Sequence, residues 1–187
     1  MMKNAFLKLM LFGFFVISCT EKEDIETFYG EYIPQSILLE DALDITGDGV
    51  ASINLLEQLY DKGNFPGRNS GRIFLNLYSP QYFNVHFSQV LMRLPYHYMY
   101  NDEIIIEYVQ NGRRFDLNEN RAVILDWNTF PPQFETPNQF FDDIVVDQLI
   151  INQGKNSPVQ LVINQRLYDF SKEDWVETKV YYTFSKR

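Results

Sequence analysis

The chain has 187 residues, with 16 lysines and arginines against 25 aspartates and glutamates, and a formal charge of −9. Nucleic acids and anionic membrane surfaces require a basic face, so this balance argues against both as direct partners. The length fits one domain with a sizeable core, and the 16% aromatic content favours pleated strands over helices.

The first 18 residues have the pattern of an export signal. Lys3 and Lys8 are followed by an apolar run over residues 9–17, and Ser18 then stands directly before Cys19. A positive start, a short apolar stretch and a small residue form a secretory signal. The run is too short to span a bilayer, which needs about 20 helical residues. We predict a signal peptide over 1–18, an acidic tether over 19–27 and a single β domain over 28–187.

Cys19 is the only cysteine and therefore has no disulfide partner in the chain. Residues 16–19, VISC, resemble the lipobox of bacterial lipoproteins, which implies cleavage before Cys19 and acylation of its sulfur. The alternative is an ordinary signal cut near Ser18 that leaves a free thiol. Residues 22–24, Lys-Glu-Asp, resemble the export signal of surface lipoproteins in Bacteroidetes-type bacteria. This resemblance implies an outer-membrane lipoprotein exposed at the cell surface, with a periplasm-facing anchor as the alternative.

The segment from residue 72 onward alternates apolar and polar residues with the period of a strand. RIFLNLY sets Ile73, Leu75 and Leu77 on one face, and WVETKVYYTF does the same with Val180 and Tyr182. In residues 81–91 the odd positions, among them Leu91, are expected to face the core. Further strands are predicted over 27–33, 121–127, 142–151 and 157–170.

Asn111-Gly112 lies between two apolar runs and favours a type I′ hairpin turn, because both central residues of that turn take positive φ. The resulting register would set Tyr108 opposite Phe115. It would also set Glu107 opposite Asp116.

One short helix is predicted over 52–60, with Ser52 as its N-cap. Many strands joined by short links favour an all-β antiparallel meander closed into a lipocalin-like barrel, and a β-sandwich is the alternative. Between Trp127 and Phe141, three prolines predict a long ordered loop.

DITGDGVASINLLE, residues 44–57, is the segment with the clearest chemistry. Its oxygen-bearing side chains alternate before a glycine, as in a calcium loop, but Leu55 stands where such a loop carries a bidentate acid. The candidate calcium ligands are Asp44, Thr46, Asp48, Ser52 and Asn54. In the other interpretation, Asp44 and Asp48 bond to the backbone of a glycine turn and cap the helix.

The same segment resembles a pattern, D-[LI]-[NT]-G-D-G-x-x-S-x-[DN]-L-L-x-E, found between the lipid anchor and the β domain of Bacteroidetes-type surface lipoproteins. The matching residues are Asp44, Gly47, Asp48, Gly49, Ser52, Asn54, Leu55, Leu56 and Glu57. The resemblance implies a lipocalin-like fold and an envelope location, but no reaction.

No phosphate loop, CxxC, HExxH or GxSxG motif occurs, and we expect neither an enzyme nor a cofactor other than the calcium considered above. Tyr96, Tyr98, Tyr100 and Trp127 are candidates for an aromatic platform, although the preferred explanation of these residues is a barrel girdle or a core face. We expect a lipoprotein that binds a small apolar or carbohydrate ligand or a protein partner. The alternative is an accessory subunit of an outer-membrane complex without a ligand cavity.

Overall fold

The computed structural model describes residues 28–61, 73–82, 86, 88–118, 121–126, 144–152 and 157–187. Within these ranges the strands are β1 Gly30–Leu43, β2 Ser52–Asn54, β3 Phe74–Tyr78, β4 Ser88–Tyr100, β5 Glu103–Asn118, β6 Arg121–Asp126, β7 Ile144–Ile151, β8 Val159–Asp169 and β9 Asp174–Lys186, and the helix is α1 Leu55–Asp61. The predicted all-β class with one short helix is confirmed. The signal peptide, Cys19, the tether, Trp127 and the proline-rich loop lie outside the described residues.

The strands form one antiparallel sheet in the order β2-β1-β3-β4-β5-β6-β7-β8-β9, and β1 also pairs with β9. The β1–β9 ladder runs from the pair Tyr32 and Lys186 to the pair Leu39 and Val180. Because the first long strand pairs with the last, the sheet curls into a barrel-like form, as expected for a lipocalin-like fold, and does not split into the two sheets of a sandwich.

The antiparallel order gives the barrel two distinct ends. Gly30, where β1 begins, lies near the chain terminus, since the backbone N–H of Arg187 donates to the carbonyl of Glu31 over 2.9 Å. Leu43 lies at the opposite end, together with the β4–β5 and β8–β9 turns. We call these the terminal end and the turn end.

Buried side chains of the strands form the described core of the barrel. The predicted face of β3 is confirmed, since Ile73, Leu75 and Leu77 are all buried. The predicted inward residues of β9 are confirmed as well, with Val180 and Tyr182 at most 1% exposed. Each fully buried side chain of this size stabilises the fold by roughly 1.5–3 kcal/mol, so this interior is the main source of stability.

The predicted turn at Asn111-Gly112 is wrong, since both residues lie inside β5 opposite Met92 and Leu91. The hairpin turn is formed instead by residues 101–102, Asn-Asp, whose φ angles of 50° and 64° give the type I′ geometry. Every residue of β4 pairs with β5, and the hydrogen bonds of this long ladder outweigh the local preference of one Asn-Gly pair.

The cross-strand pairs predicted from that turn are wrong for the same reason. Glu107 and Asp116 belong to one strand, and Glu107 lies opposite Tyr96 in the β4–β5 register. Tyr108 lies opposite Pro95, not opposite Phe115.

Residues 83–85 and 87 lie outside the described residues. In the described part of residues 81–91, the predicted inward face is wrong. Val90 is buried and Leu91 is only half-buried. Val90 pairs with Leu77, the inward residue of β3, and directly paired residues share a face. Val90 and Leu91 are both apolar, so the pairing with β3, and not the residue type, decides which of them faces the core.

The predicted helix starts later than expected. Ser52 lies in β2 and is therefore not the N-cap. Asn54 is the N-cap, because its Oδ1 accepts the backbone N–H of Glu57 over 3.2 Å.

Candidate functional site

The acidic turn is organised around the carboxylate of Asp44, which is 1% exposed. Its Oδ1 accepts the backbone N–H groups of Thr46 at 3.3 Å, Gly47 at 2.8 Å and Asp48 at 3.3 Å, and its Oδ2 accepts that of Gly49 at 2.8 Å. Gly47 and Gly49 have φ of 71° and 83°, which lets the loop turn its N–H groups inward. These are the side-chain-to-backbone bonds that the glycine-turn interpretation predicts.

Three of the other side chains named as calcium ligands, Asp48, Ser52 and Asn54, also accept backbone N–H groups. Asp48 accepts from Val50 at 2.9 Å, and Ser52 accepts from Asn54 at 3.0 Å. A ring of N–H groups favours an anion at its centre and disfavours a cation there. Among the described residues, no group of three or more His, Cys, Asp or Glu side chains is arranged to hold a metal ion. Calcium binding stays a prediction, and its test is given in the Discussion.

Asp44 is also bonded to the β8–β9 turn through a second carboxylate. The backbone N–H of Asp44 donates to Asp169 Oδ1 over 3.2 Å, and the N–H of Phe170 donates to the Asp44 carbonyl over 2.8 Å. Asp169 is fully buried and pairs with Lys172 Nζ at 3.1 Å. The Ser171 hydroxyl donates to the same carboxylate over 2.7 Å.

Two opposing effects set the pKa of Asp169. Burial raises it, but the hydrogen bonds from Ser171, Lys172 and the backbone outweigh burial and hold the pKa below its ordinary value. The ionised form therefore predominates at neutral pH. Sequence reasoning missed Asp169, although an Asp two residues before a Ser at a strand end is a turn signal.

Gln58 connects the helix to the acidic turn. Its Oε1 accepts the N–H of Ile45 over 3.1 Å, and its Nε2 donates to the carbonyls of Leu43 at 3.0 Å and Ser52 at 2.9 Å. Sequence reasoning treated this helix only as an apolar stripe, so the bridging role of Gln58 was missed.

The tyrosine row predicted on β4 runs from the core to the surface. Tyr96 is 4% exposed, Tyr98 is half-buried and Tyr100 is 62% exposed. The Tyr96 and Tyr98 rings are stacked, with centroids 6.3 Å apart. Burial and the neighbouring carboxylate of Glu107, which is hydrogen-bonded to the Tyr98 phenol, raise the pKa of Tyr98. Only Tyr98 and Tyr100 offer ring surface to solvent, while Tyr96 is a core residue.

His97 lies beside this row and contacts a strand that is not its neighbour in the sheet. Its Nδ1 accepts the backbone N–H of Tyr168 in β8 over 3.0 Å, and burial lowers the pKa of His97 to about 4. Near it, Gln165 Nε2 donates to the carbonyl of Pro95 over 2.6 Å. The other histidine, His86, is exposed and precedes β4 at the terminal end, whereas His97 lies near the turn end of β4.

In the part of the chain that the structure describes, no helix is long and apolar enough to cross a membrane. Comparison with protein-family models, curated proteins and solved structures found no match.

Proposed function

We propose that this chain is a non-enzymatic, lipid-anchored lipoprotein of the outer membrane, exposed at the cell surface, that binds a small ligand or a protein partner at the turn end. The lipobox-like segment before Cys19 supports the anchor. Acylation by several chains would hold the protein stably, since each buried CH₂ is worth about 0.8 kcal/mol. Cys19 precedes Phe28 by nine residues, which span at most about 30 Å when extended.

The observation that carries the proposal is the position of the exposed tyrosines relative to the tether. β1 starts at the terminal end with Gly30, and β4 runs in the same direction because β3 lies antiparallel between them. Tyr98 and Tyr100 therefore lie at the turn end, with most of the barrel between them and the residue to which the tether joins. An anchored molecule would hold these rings away from the bilayer.

The chemistry of this surface fits a carbohydrate best. Two tyrosine rings offer apolar faces for sugar C–H groups. Glu107 is exposed and adjacent to Tyr98, so its carboxylate can accept hydrogen bonds from hydroxyl groups. An apolar ligand or a protein loop would use the rings without the carboxylate.

Two measurements test the proposal separately. Mass spectrometry of the mature protein should show acyl chains on Cys19, and an unacylated thiol on a full-length product would remove the anchor. For binding, a panel of glycans is titrated against the wild type, Tyr100→Ala and Tyr82→Ala. Tyr82 is 69% exposed but lies towards the terminal end, so it is the matched control. We expect Tyr100→Ala to weaken binding about tenfold or more, and equal affinities for all three proteins would contradict the proposed surface.

A second candidate, the accessory subunit, is favoured by a different observation. Leu38, Tyr181 and Val162 form an in-register row across β1, β9 and β8 on the outer face. Leu38 and Tyr181 are 39% and 40% exposed. The residues beside them in sequence are buried, namely Ile37, Leu39, Val180 and Tyr182. If the protein is a subunit, Tyr181→Glu should abolish cross-linking to an envelope partner and leave glycan binding unchanged.

A further inference from the structure

Among the described ladders, the end of the β4–β5 hairpin is a ribbon in which the two strands pair only with each other. The ladder between β3 and β4 stops at the pair of Phe74 and Arg93, and that between β5 and β6 begins at the pair of Arg114 and Asp126. In the described ladders, Leu94–Val109 therefore has no third strand on either edge. A two-stranded hairpin alone is only marginally stable in water, so other contacts must hold this ribbon in place.

Two side-chain bonds join the ribbon to β8, which is not its neighbour in the sheet. His97 Nδ1 accepts the N–H of Tyr168 over 3.0 Å, and Gln165 Nε2 donates to the carbonyl of Pro95 over 2.6 Å. His97 is 1% exposed, so its hydrogen bond to β8 lies in a buried contact between the ribbon and that strand.

The base of the ribbon contains the Asn-Gly pair that does not form the predicted turn. Gly112 lies opposite Leu91, two residues before the β3–β4 ladder ends at Arg93. A glycine inside a strand weakens it and permits bending. Leu94 and Tyr96 anchor the inner part of the ribbon in the core, and opening that exposes only this part of the core costs less than global unfolding.

We propose that Leu94–Val109 is a hinged flap, held to β8 by neutral His97 and released when His97 is protonated. Because Nδ1 accepts a hydrogen bond, the ring proton of neutral His97 is on Nε2. Protonation adds a proton to Nδ1, which then faces the N–H of Tyr168. The hydrogen bond is lost and two donors oppose each other in a buried site.

Among the described residues, none that faces His97 brings a carboxylate to compensate the imidazolium. Its register partner from β5 is Ile106, and from β8 it faces Tyr168 and Gln165, none of which carries a negative charge at neutral or mildly acidic pH. Burial therefore lowers the pKa of His97 to about 4, whereas an open flap would restore a value near 6.5. Release of the flap by protonation does not require that the chain bind the proposed ligand.

Hydrogen exchange on the full-length chain tests the flap, at about pH 7 and about pH 5, with rates corrected for intrinsic pH dependence. Linkage between the two pKa values predicts that opening increases roughly 20-fold at the lower pH. The increase should include the Tyr168 amide and the ribbon amides, while the β8–β9 amides around Ile163 keep their protection.

Three variants make the test specific. His97→Asn keeps an acceptor near Nδ1 but cannot be protonated, so its opening should not respond to pH. His86→Asn removes the other, exposed histidine and should respond as the wild type does. Gln165→Leu removes the second bond and should raise opening at both pH values without changing their ratio, which keeps the proposal testable if His97→Asn fails to fold. An unchanged ribbon at about pH 5, simultaneous loss of the β8–β9 protection, or a pH response in His97→Asn would overturn it.

Discussion

Replacement of Asp44 by alanine should destabilise the fold substantially without any metal being involved. The variant loses four backbone N–H partners, two of them at 2.8 Å. Each hydrogen bond to a charged group contributes about 1.5–3 kcal/mol. Gly47 and Gly49 are exposed, so water replaces part of what their N–H groups lose. We therefore expect a loss of about 2–4 kcal/mol in the free energy of unfolding.

Urea unfolding followed by circular dichroism, in the presence of chelator and then of calcium, measures this loss. Asp48→Ala is the matched control, because its exposed carboxylate accepts one N–H, from Val50, and its removal should cost about 0.5–1 kcal/mol. If calcium binds the turn, it should stabilise the wild type by RT ln(1 + [Ca²⁺]/Kd), and both variants should lose that gain.

The two interpretations of the turn therefore give different results. A large loss for Asp44→Ala in chelator, with calcium changing nothing, supports the carboxylate-centred turn. If the free energy of unfolding of Asp44→Ala lies within about 0.5 kcal/mol of the wild-type value, the hydrogen bonds to Asp44 do not stabilise the turn as expected. If calcium shifts the wild-type midpoint, the turn is a metal site despite its N–H groups.

The remaining predictions concern other polar groups and one strained residue. The pKa of Asp169 is lowered, so the ionised carboxylate stabilises the fold above about pH 4, and this stabilisation is lost as the pH falls through the lowered pKa. Asp169→Asn should therefore lower the free energy of unfolding by about 1–3 kcal/mol at neutral pH. The variant should also lose less stability than the wild type as the solution is made acidic. Asn54→Ala removes the N-cap and should lower the free energy of unfolding by about 1 kcal/mol. Ser52→Ala should lower it by about half of that or less, because Ser52 is not the N-cap. Urea unfolding measures both values. Glu173 has φ of 53°, so Glu173→Gly should raise the stability by about 1 kcal/mol, measured as an increased Tm.

The sequence predicts this fold well where the information is local. The alternation in β9 identifies Val180 and Tyr182 as core residues, since period two is a property of a few consecutive residues. Neighbouring apolar residues such as Val90 and Leu91 defeat the same reasoning, because the pairing with β3 decides which one turns inward. The Asn-Gly pair misleads for a related reason, since the extent of the β4–β5 ladder decides where the turn falls.

The candidate sites were predictable only in part, because their partners are distant in the sequence. Asp44 was identified from its glycine turn, a local pattern. Its bond to Asp169 spans 125 residues, and that of His97 to Tyr168 spans 71. No local pattern contains such pairs, and they follow only from the strand order of the closed sheet.

These distant bonds share one physical cause. At the turn end the described ladders stop at different heights, and side chains there accept backbone N–H groups in place of a strand. Buried backbone groups require such partners. Asp169 serves the N–H of Asp44, and His97 serves that of Tyr168. Both side chains exchange protons in acid, and in both the form that makes the bond is the deprotonated one. Acid should therefore loosen the turn end before the terminal end, first as His97 gains a proton and then, at lower pH, as Asp169 does.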